Sequence, residues 1–469
     1  MGSKRKDKLR ALPAVEVLLQ HALLRETGGC CPRTVIVRSA REVLQEIREE
    51  ILSAGEEARD NVLGSLDALA EMVLDRARKA SIPGFRRVLN ATGVVIHTNL
   101  GRSVLSERAA EAIHAAATGY SNLEYDLEQG GRTTRQQHVE PLLIELTGAQ
   151  AALVVNNNAG AVMLVAHILA RGREIVVSRG ELVEIGGSFR LPEVLSSSGA
   201  RRVEVGTTNR TVLGDYEAAI GPDTGMLLKV HRSNFVMSGY VTEVSLRDLV
   251  ALGREHSIPV VEDLGSGALM DMSRLGLSHE MMPRESIAAG VDAVTFSGDK
   301  LLGGTQAGII AGKIDVIGKT RGSPMARALR IDKLNLAGLE ATLLAYRDPE
   351  RVRDEIPTLR LIARGKGEIG QVARSIAGGL EGIGDGVAVT VETGQSEVGG
   401  GASPDVALPT VLVCLEPREM TSRELADRLR KADPSVIARI KDNRVLIDPR
   451  TLLPGEGDLV VRAVLEAAG

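Results

Sequence analysis

The chain has 469 residues, 43% apolar and 25% charged, which exceeds what one core usually organises and excludes a collagen-like or disordered design. Its net charge of -4 excludes a protein that coats nucleic acid by charge alone, so DNA is not an expected partner and any RNA site must be local. No stretch is apolar for long enough to cross a membrane, and the start, MGSKRKDKLR, lacks the apolar run of a secretory signal, so a cytoplasmic protein with no membrane partner is expected.

Near that start, Lys4, Arg5, Lys6, Lys8 and Arg10 form a basic cluster that reads equally as an RNA contact or as a solvated tail. With no Trp and 2% aromatic residues, gripping single strands by base stacking is not expected, whereas folded RNA read by shape remains open. Residues 1–80 read as a small helical domain. From Ser39, the residues Val43, Leu44, Ile47, Ile51 and Leu52 recur at helical spacing, and Ser39 with Glu42 matches a capping box. A second pattern, Val62, Leu66, Leu69, Val73 and Leu74, runs to the breaker Ser81-Ile82-Pro83-Gly84, which marks a domain boundary.

Residues 85–334 change texture. Short apolar runs at 151–155, 174–178, 202–205, 226–230, 259–261 and 293–296 alternate with helical stretches, which predicts an α/β domain with a mostly parallel sheet and a ligand beyond the strands' carboxyl ends. Residues 335–469 read as a smaller α+β domain. It has a helix near 359–380, strands near 387–391 and 410–414, an amphipathic helix from Thr421, and a Gly-rich stretch at 394–401 that reads as a flexible loop. Cys30, Cys31 and Cys414 match neither a disulfide framework nor a metal-ligand spacing, so no metal site is expected.

Four strand ends carry chemistry-bearing residues. Thr295-Phe296-Ser297-Gly298-Asp299-Lys300 runs an apolar strand into a small polar turn with one lysine, where an aldehyde cofactor could be held as a Schiff base. Val261-Glu262-Asp263 ends another strand in a carboxylate able to keep a pyridine nitrogen protonated, although a turn-forming Asp is also ordinary there. Asn156-Asn157-Asn158-Ala159-Gly160 opens an apolar helix whose first N–H groups suit a phosphate, or is a plain Asn cap. Asn234, after a fourth strand, could donate to a phenolic oxygen of the cofactor. The four together are a rarer coincidence than any one of them.

This order of elements resembles the aspartate-aminotransferase-type, fold type I pyridoxal-phosphate enzymes. More specific blocks, LNATGVVIHTNLGR from Leu89, VNNNA from Val155, VGTTNR from Val205 and FSGDKLLGG from Phe296, resemble the bacterial selenocysteine synthases, the L-seryl-tRNA(Sec) selenium transferases, over nearly the whole chain. That resemblance implies a pyridoxal 5'-phosphate enzyme with the cofactor on Lys300, contacts from Asp263, Asn157, Asn158, Ala159, Asn234 and Ser297, and Asp299 as a further catalytic group. It implies Arg102, Arg327 and Arg330 as the selenophosphate-binding residues and the domain at 1–80 as the tRNA reader. The implied reaction converts seryl-tRNA(Sec) and selenophosphate into selenocysteinyl-tRNA(Sec) through a cofactor-bound aminoacrylyl group, in a homo-oligomer built from dimers, a decamer in the family. Two alternatives stand beside it: a small-molecule lyase of the aminosugar-phosphate ammonia-lyase type, and a non-catalytic RNA-binding protein on a degenerate core.

Overall fold

A computed structural model of the chain describes residues 9–25, 31–53, 65–185, 189–402 and 406–469. Lys4, Arg5, Lys6, Lys8, Cys30 and Val62 lie outside the described residues. The chain divides into two compact units, Met1–Arg87 and Val88–Gly469.

In the first unit, α1 (Arg33–Ser53) and α2 (Leu66–Ser81) face each other through apolar stripes, Ile36, Val43, Leu44, Ile47 and Ile51 against Leu69, Val73 and Leu74. Leu18 and Leu24, from two one-turn helices, complete this core. The Ser39 cap expected from sequence is corrected. α1 starts six residues earlier, after Pro32, because Ile36 and Ala40 extend the apolar stripe, and Ser39 is a buried mid-helix residue. α2 is capped by Ser65, whose hydroxyl accepts from the Ala68 N–H at 3.2 Å, and it ends at the Ser81 breaker.

The second unit opens with β1 (Val88–Ala91) and β2 (Val94–Ile96). Its large sheet follows: β3 (Ala151–Val155) leading into α3 (Asn158–Ala170), then β4 (Glu174–Ser178), β5 (Arg201–Val205), β6 (Thr224–Val230), β7 (Val260–Gly265), β8 (Ala293–Ser297) and β9 (Gly308–Gly312). The spatial order is β3-β9-β8-β7-β6-β4-β5, with every pairing parallel except the two that β9 makes. Alternate residues enter different cores, Val154, Leu227, Val260 and Val294 one, Leu153, Leu228, Val261 and Ala293 the other, so both faces are covered and the strands read as continuous apolar runs. β9 was not predicted from sequence. Its terminal glycines mask the strand signal, yet a Cβ at Gly308 would sit 2.1 Å from the Asn157 carbonyl and one at Gly312 2.2 Å from that of Asp292, so close backbone approach requires them.

The chain then forms α4 (Lys366–Gly379), β10 (Val387–Gly399), β11 (Ala407–Pro417), α5 (Ser422–Lys431), β12 (Ser435–Lys441), β13 (Arg444–Ile447) and α6 (Glu456–Ala468). The second sheet has the order β1-β12-β13-β11-β10-β2. β1 and β2, which sequence placed with the large domain, therefore pair with C-terminal strands. The expected helix at 359–380 is interrupted at Arg364 and Gly365, between Pro357–Ala363 and α4. The flexible loop expected at 394–401 is also corrected, because β10 runs through Gly394 to Gly399, paired with β11 as far as Glu397 and with β2 at Glu397 and Gly399, and Gly394 leaves room for Leu412, whose Cδ1 would lie 2.5 Å from an added Cβ. Among the described residues no helix is long and apolar enough to cross a membrane.

Candidate active site

Because β6, β7 and β8 are adjacent and parallel, their carboxyl ends deliver side chains to one place. Val230 pairs with Asp263 and Asp263 with Thr295, so near their carboxyl ends the three strands set these residues in one row. Between Asp263 and Gly265 the register shifts, and Gly265 takes φ 65°, turning the chain away sharply after the carboxylate. Beyond β8 the chain continues into Asp299 and Lys300, only 7% and 5% exposed.

Burial pushes the Lys300 ammonium below its usual range, and the nearby Arg102 charge acts in the same direction against Asp263, Asp299 and Glu280. Burial likewise pushes Asp263 up, opposed by hydrogen bonds from Asn158 and Thr295 and by the charges of Lys300 and His231. The Asn158 amide donates to Asp263 Oδ1 at 2.8 Å and the Thr295 hydroxyl donates to the same oxygen at 3.0 Å. Arg102, at φ 62°, reaches Asp299 Oδ2 with its Nη1 at 2.8 Å, and the Ser103 hydroxyl donates to the carbonyls of Asp299 and Lys300 at 2.8 and 2.9 Å. The lysine turn is thus held from the 97–103 segment.

Three features suit a bound pyridine aldehyde with a phosphate. Asn158 Oδ1 and Ser266 Oγ are buried without hydrogen-bond partners. At Gly401, φ 72°, an added Cβ would lie 3.3 Å from Ser233 Oγ and 3.7 Å from Lys300 Nζ, so glycine keeps that flank of the amine open. The start of α3 presents backbone N–H groups and the positive end of the helix dipole, an arrangement that suits an anion.

The chain matches the family model described as L-seryl-tRNA selenium transferase over residues 88–453, and the model described as selenocysteine synthase N terminal over residues 9–48. The L-seryl-tRNA(Sec) selenium transferase of Moorella thermoacetica is 48% identical over 463 residues, covering 98% of this chain and 97% of that protein. Those of Solidesulfovibrio magneticus and Geobacter sulfurreducens are 49% and 46% identical, each covering 97% or more of this chain and 98% of the relative. The chain belongs to the L-seryl-tRNA selenium transferase family. Among solved structures, D-glucosaminate-6-phosphate ammonia-lyase matches with a TM-score of 0.55 and 22% identity, covering 82% of this chain and 96% of that one, a likeness of fold.

Within this family member, Lys300, Asp263, Asn158, Ser297 and Asp299 come to the same end of the large sheet, and Arg102 joins Asp299. Asn157 is spent on its helix, its Oδ1 accepting from the Gly160 N–H at 2.8 Å, and Ala159 sits in the first turn of α3. Asn234 is exposed and donates to the Glu184 carbonyl at 2.6 Å, and a Cβ added at Gly401 would lie 3.6 Å from its Cβ, while the neighbouring Ser233 is buried and borders the same position. Arg327 and Arg330 are exposed, and Arg330 pairs with Glu124 at 3.1 Å. Sequence reasoning missed Thr295, Ser103, Ser233 and Gly401. Thr295 and Ser233 are small hydroxyls in stretches read for other residues, Ser103 directly follows the block that ends at Arg102, and Gly401 lay in a stretch read as a loop.

Proposed function

We propose that this chain converts L-seryl-tRNA(Sec) and selenophosphate into L-selenocysteinyl-tRNA(Sec) and phosphate, using pyridoxal 5'-phosphate held on Lys300. The observation that carries this reading is the buried pair of Lys300 and Asp263 at adjacent strand ends, in a chain of this family. Pyridoxal phosphate, when bound, supplies an electron sink for the bond-breaking at the seryl Cα.

The chain's own groups do the rest. Burial and Arg102 favour the neutral Lys300 amine, the form that bonds an aldehyde and, once displaced by the seryl amino group, takes the Cα proton. Asp263 keeps the ring nitrogen protonated, and Ser297 with the α3 N-terminus, including Asn157, Asn158 and Ala159, receives the phosphate. Arg102, oriented by Asp299, holds selenophosphate together with Arg327 and Arg330, since a planar guanidinium matches phosphate oxygens. The helical region at 1–80 reads the folded tRNA, and the enzyme works in the cytoplasm as a dimer-based homo-oligomer, a decamer.

The decisive experiment supplies labelled selenophosphate and seryl-tRNA(Sec) to the holoenzyme. Label is expected in aminoacyl-tRNA, and an absence of label with turnover of an aminosugar phosphate would replace this reading by the lyase. Deleting residues 1–80 is expected to spare cofactor binding and to abolish the gel shift with tRNA(Sec), because a chain of net charge -4 has no general phosphate-binding surface in reserve. Equal, tight binding by both proteins would place tRNA recognition elsewhere.

A further inference from the structure

We infer that Asn158 and Thr295 are positioning residues that fix the Asp263 carboxylate so that one oxygen alone faces the cofactor ring. The inference rests on Asp263 being the ring-nitrogen partner, as proposed above. Both donors converge on Oδ1, at 2.8 and 3.0 Å, and among the described residues no donor reaches Oδ2. A carboxylate turns readily about its last bond, where the torsional preference is broad. Two donors on one oxygen, arriving from different elements, remove that freedom.

Each donor is itself held. Thr295 is fully buried in β8, directly opposite Asp263 in the β7–β8 register, and its branched Cβ restricts rotation. Asn158 is the first residue of α3, and its side chain is not needed to cap the helix because Asn157 already does so. Its own Oδ1 lacks a partner, so the amide is retained at the cost of an unsatisfied acceptor. One residue thereby ties the anion-binding end of α3 to the carboxylate. The two hydrogen bonds also favour the charged carboxylate against the burial that disfavours it, and a ring nitrogen needs that charge to stay protonated.

The test compares the affinity of apo-protein for pyridoxal phosphate and for its 1-deaza analogue, which has carbon in place of the ring nitrogen. Thr295→Val and Asn158→Ala are each expected to weaken pyridoxal phosphate about tenfold, the scale of a hydrogen bond to a charged group, while weakening the deaza analogue less than about twofold. Thr295→Ser is expected to restore wild-type affinity, and in an Asp263→Ala background Thr295→Val should add nothing. Equal losses for both cofactors would reduce the two residues to a packing role and overturn the inference. Wild-type affinity in both variants, with Asp263→Ala still selectively weakened for pyridoxal phosphate, would also overturn it. If Asp263→Ala itself affects both cofactors alike, the assignment of Asp263 fails, and the positioning roles fail with it.

Discussion

Two buried charged clusters in the second unit differ in one respect, how completely their polar atoms are satisfied. In the small sheet, Asp448 is 0% exposed and accepts from Ser396, Thr410, Arg439 and the Arg450 N–H at 2.8 to 3.1 Å. Arg450, 1% exposed, donates to the carbonyls of Leu361, Ile362, Arg364 and Pro409 and to the Ser396 hydroxyl. In the large sheet, Asp263 accepts on one oxygen only, and Asn158 Oδ1 and Ser266 Oγ have no partner. Around Asp448 and Arg450 the network is closed except for the buried Arg439 Nε, which has no partner, and it specifies structure, whereas the more open one at the strand ends suits a ligand.

Exchanging single residues between these two regimes should separate function from stability. Lys300→Ala is expected to abolish selenium transfer and covalent cofactor retention, with no cofactor mass added after borohydride reduction. Its thermal midpoint without cofactor should be unchanged or higher, because a buried amine whose charge is disfavoured by burial and by Arg102 is removed. Retained borohydride-fixed cofactor would move the attachment site. Asp448→Ala is expected to do the reverse, costing about 3–5 kcal/mol in urea unfolding because Arg439 loses its ion-pair partner and the buried Arg450 loses a nearby counter-charge. A loss below about 1 kcal/mol would show that the small-sheet cluster is not structural.

The comparison also explains what the sequence reveals. Lys300 and Asp263 were legible because a strand ending in an ionisable residue beside glycines is a local pattern. β3 through β8 were legible as apolar runs. The partners of Asp263 were not, since Asn158 and Thr295 lie 105 and 32 residues from it and only sheet order brings them together. The block around Gly93 carried the family resemblance without its physical cause. The structure supplies that cause: at φ 75°, a Cβ on Gly93 would lie 2.0 Å from Asp448 Oδ2, so the small-sheet carboxylate requires glycine there. β1 and β2 were not read from sequence, because strand pairing across some 300 to 350 residues leaves no local trace.

The smallest expected effect concerns Glu262, which sits one residue before Asp263 and, by strand alternation, faces the other side of the sheet. It is 4% exposed, lines a cavity of about 530 Å³ with Lys229, His231 and Glu280, and has Oε2 unpartnered. Burial pushes its carboxyl up to about 7 against the Ser286 hydrogen bond and the Lys229 charge. A carboxyl raised in the folded state binds a proton more tightly there than in the unfolded chain. Its contribution is therefore fully present below about 4.5 and is lost as pH rises through about 7, a change of about 3 kcal/mol for a shift of this size. Glu262→Gln keeps a neutral side chain at every pH. Relative to wild type without cofactor, it is expected to gain stability progressively between pH 4.5 and 8, by up to about 3 kcal/mol in urea unfolding, with little difference at the acid end. A constant difference across that range would mean that Glu262 is charged in the folded protein at neutral pH, and that the face of β7 opposite Asp263 holds a satisfied ion pair like the one at Asp448.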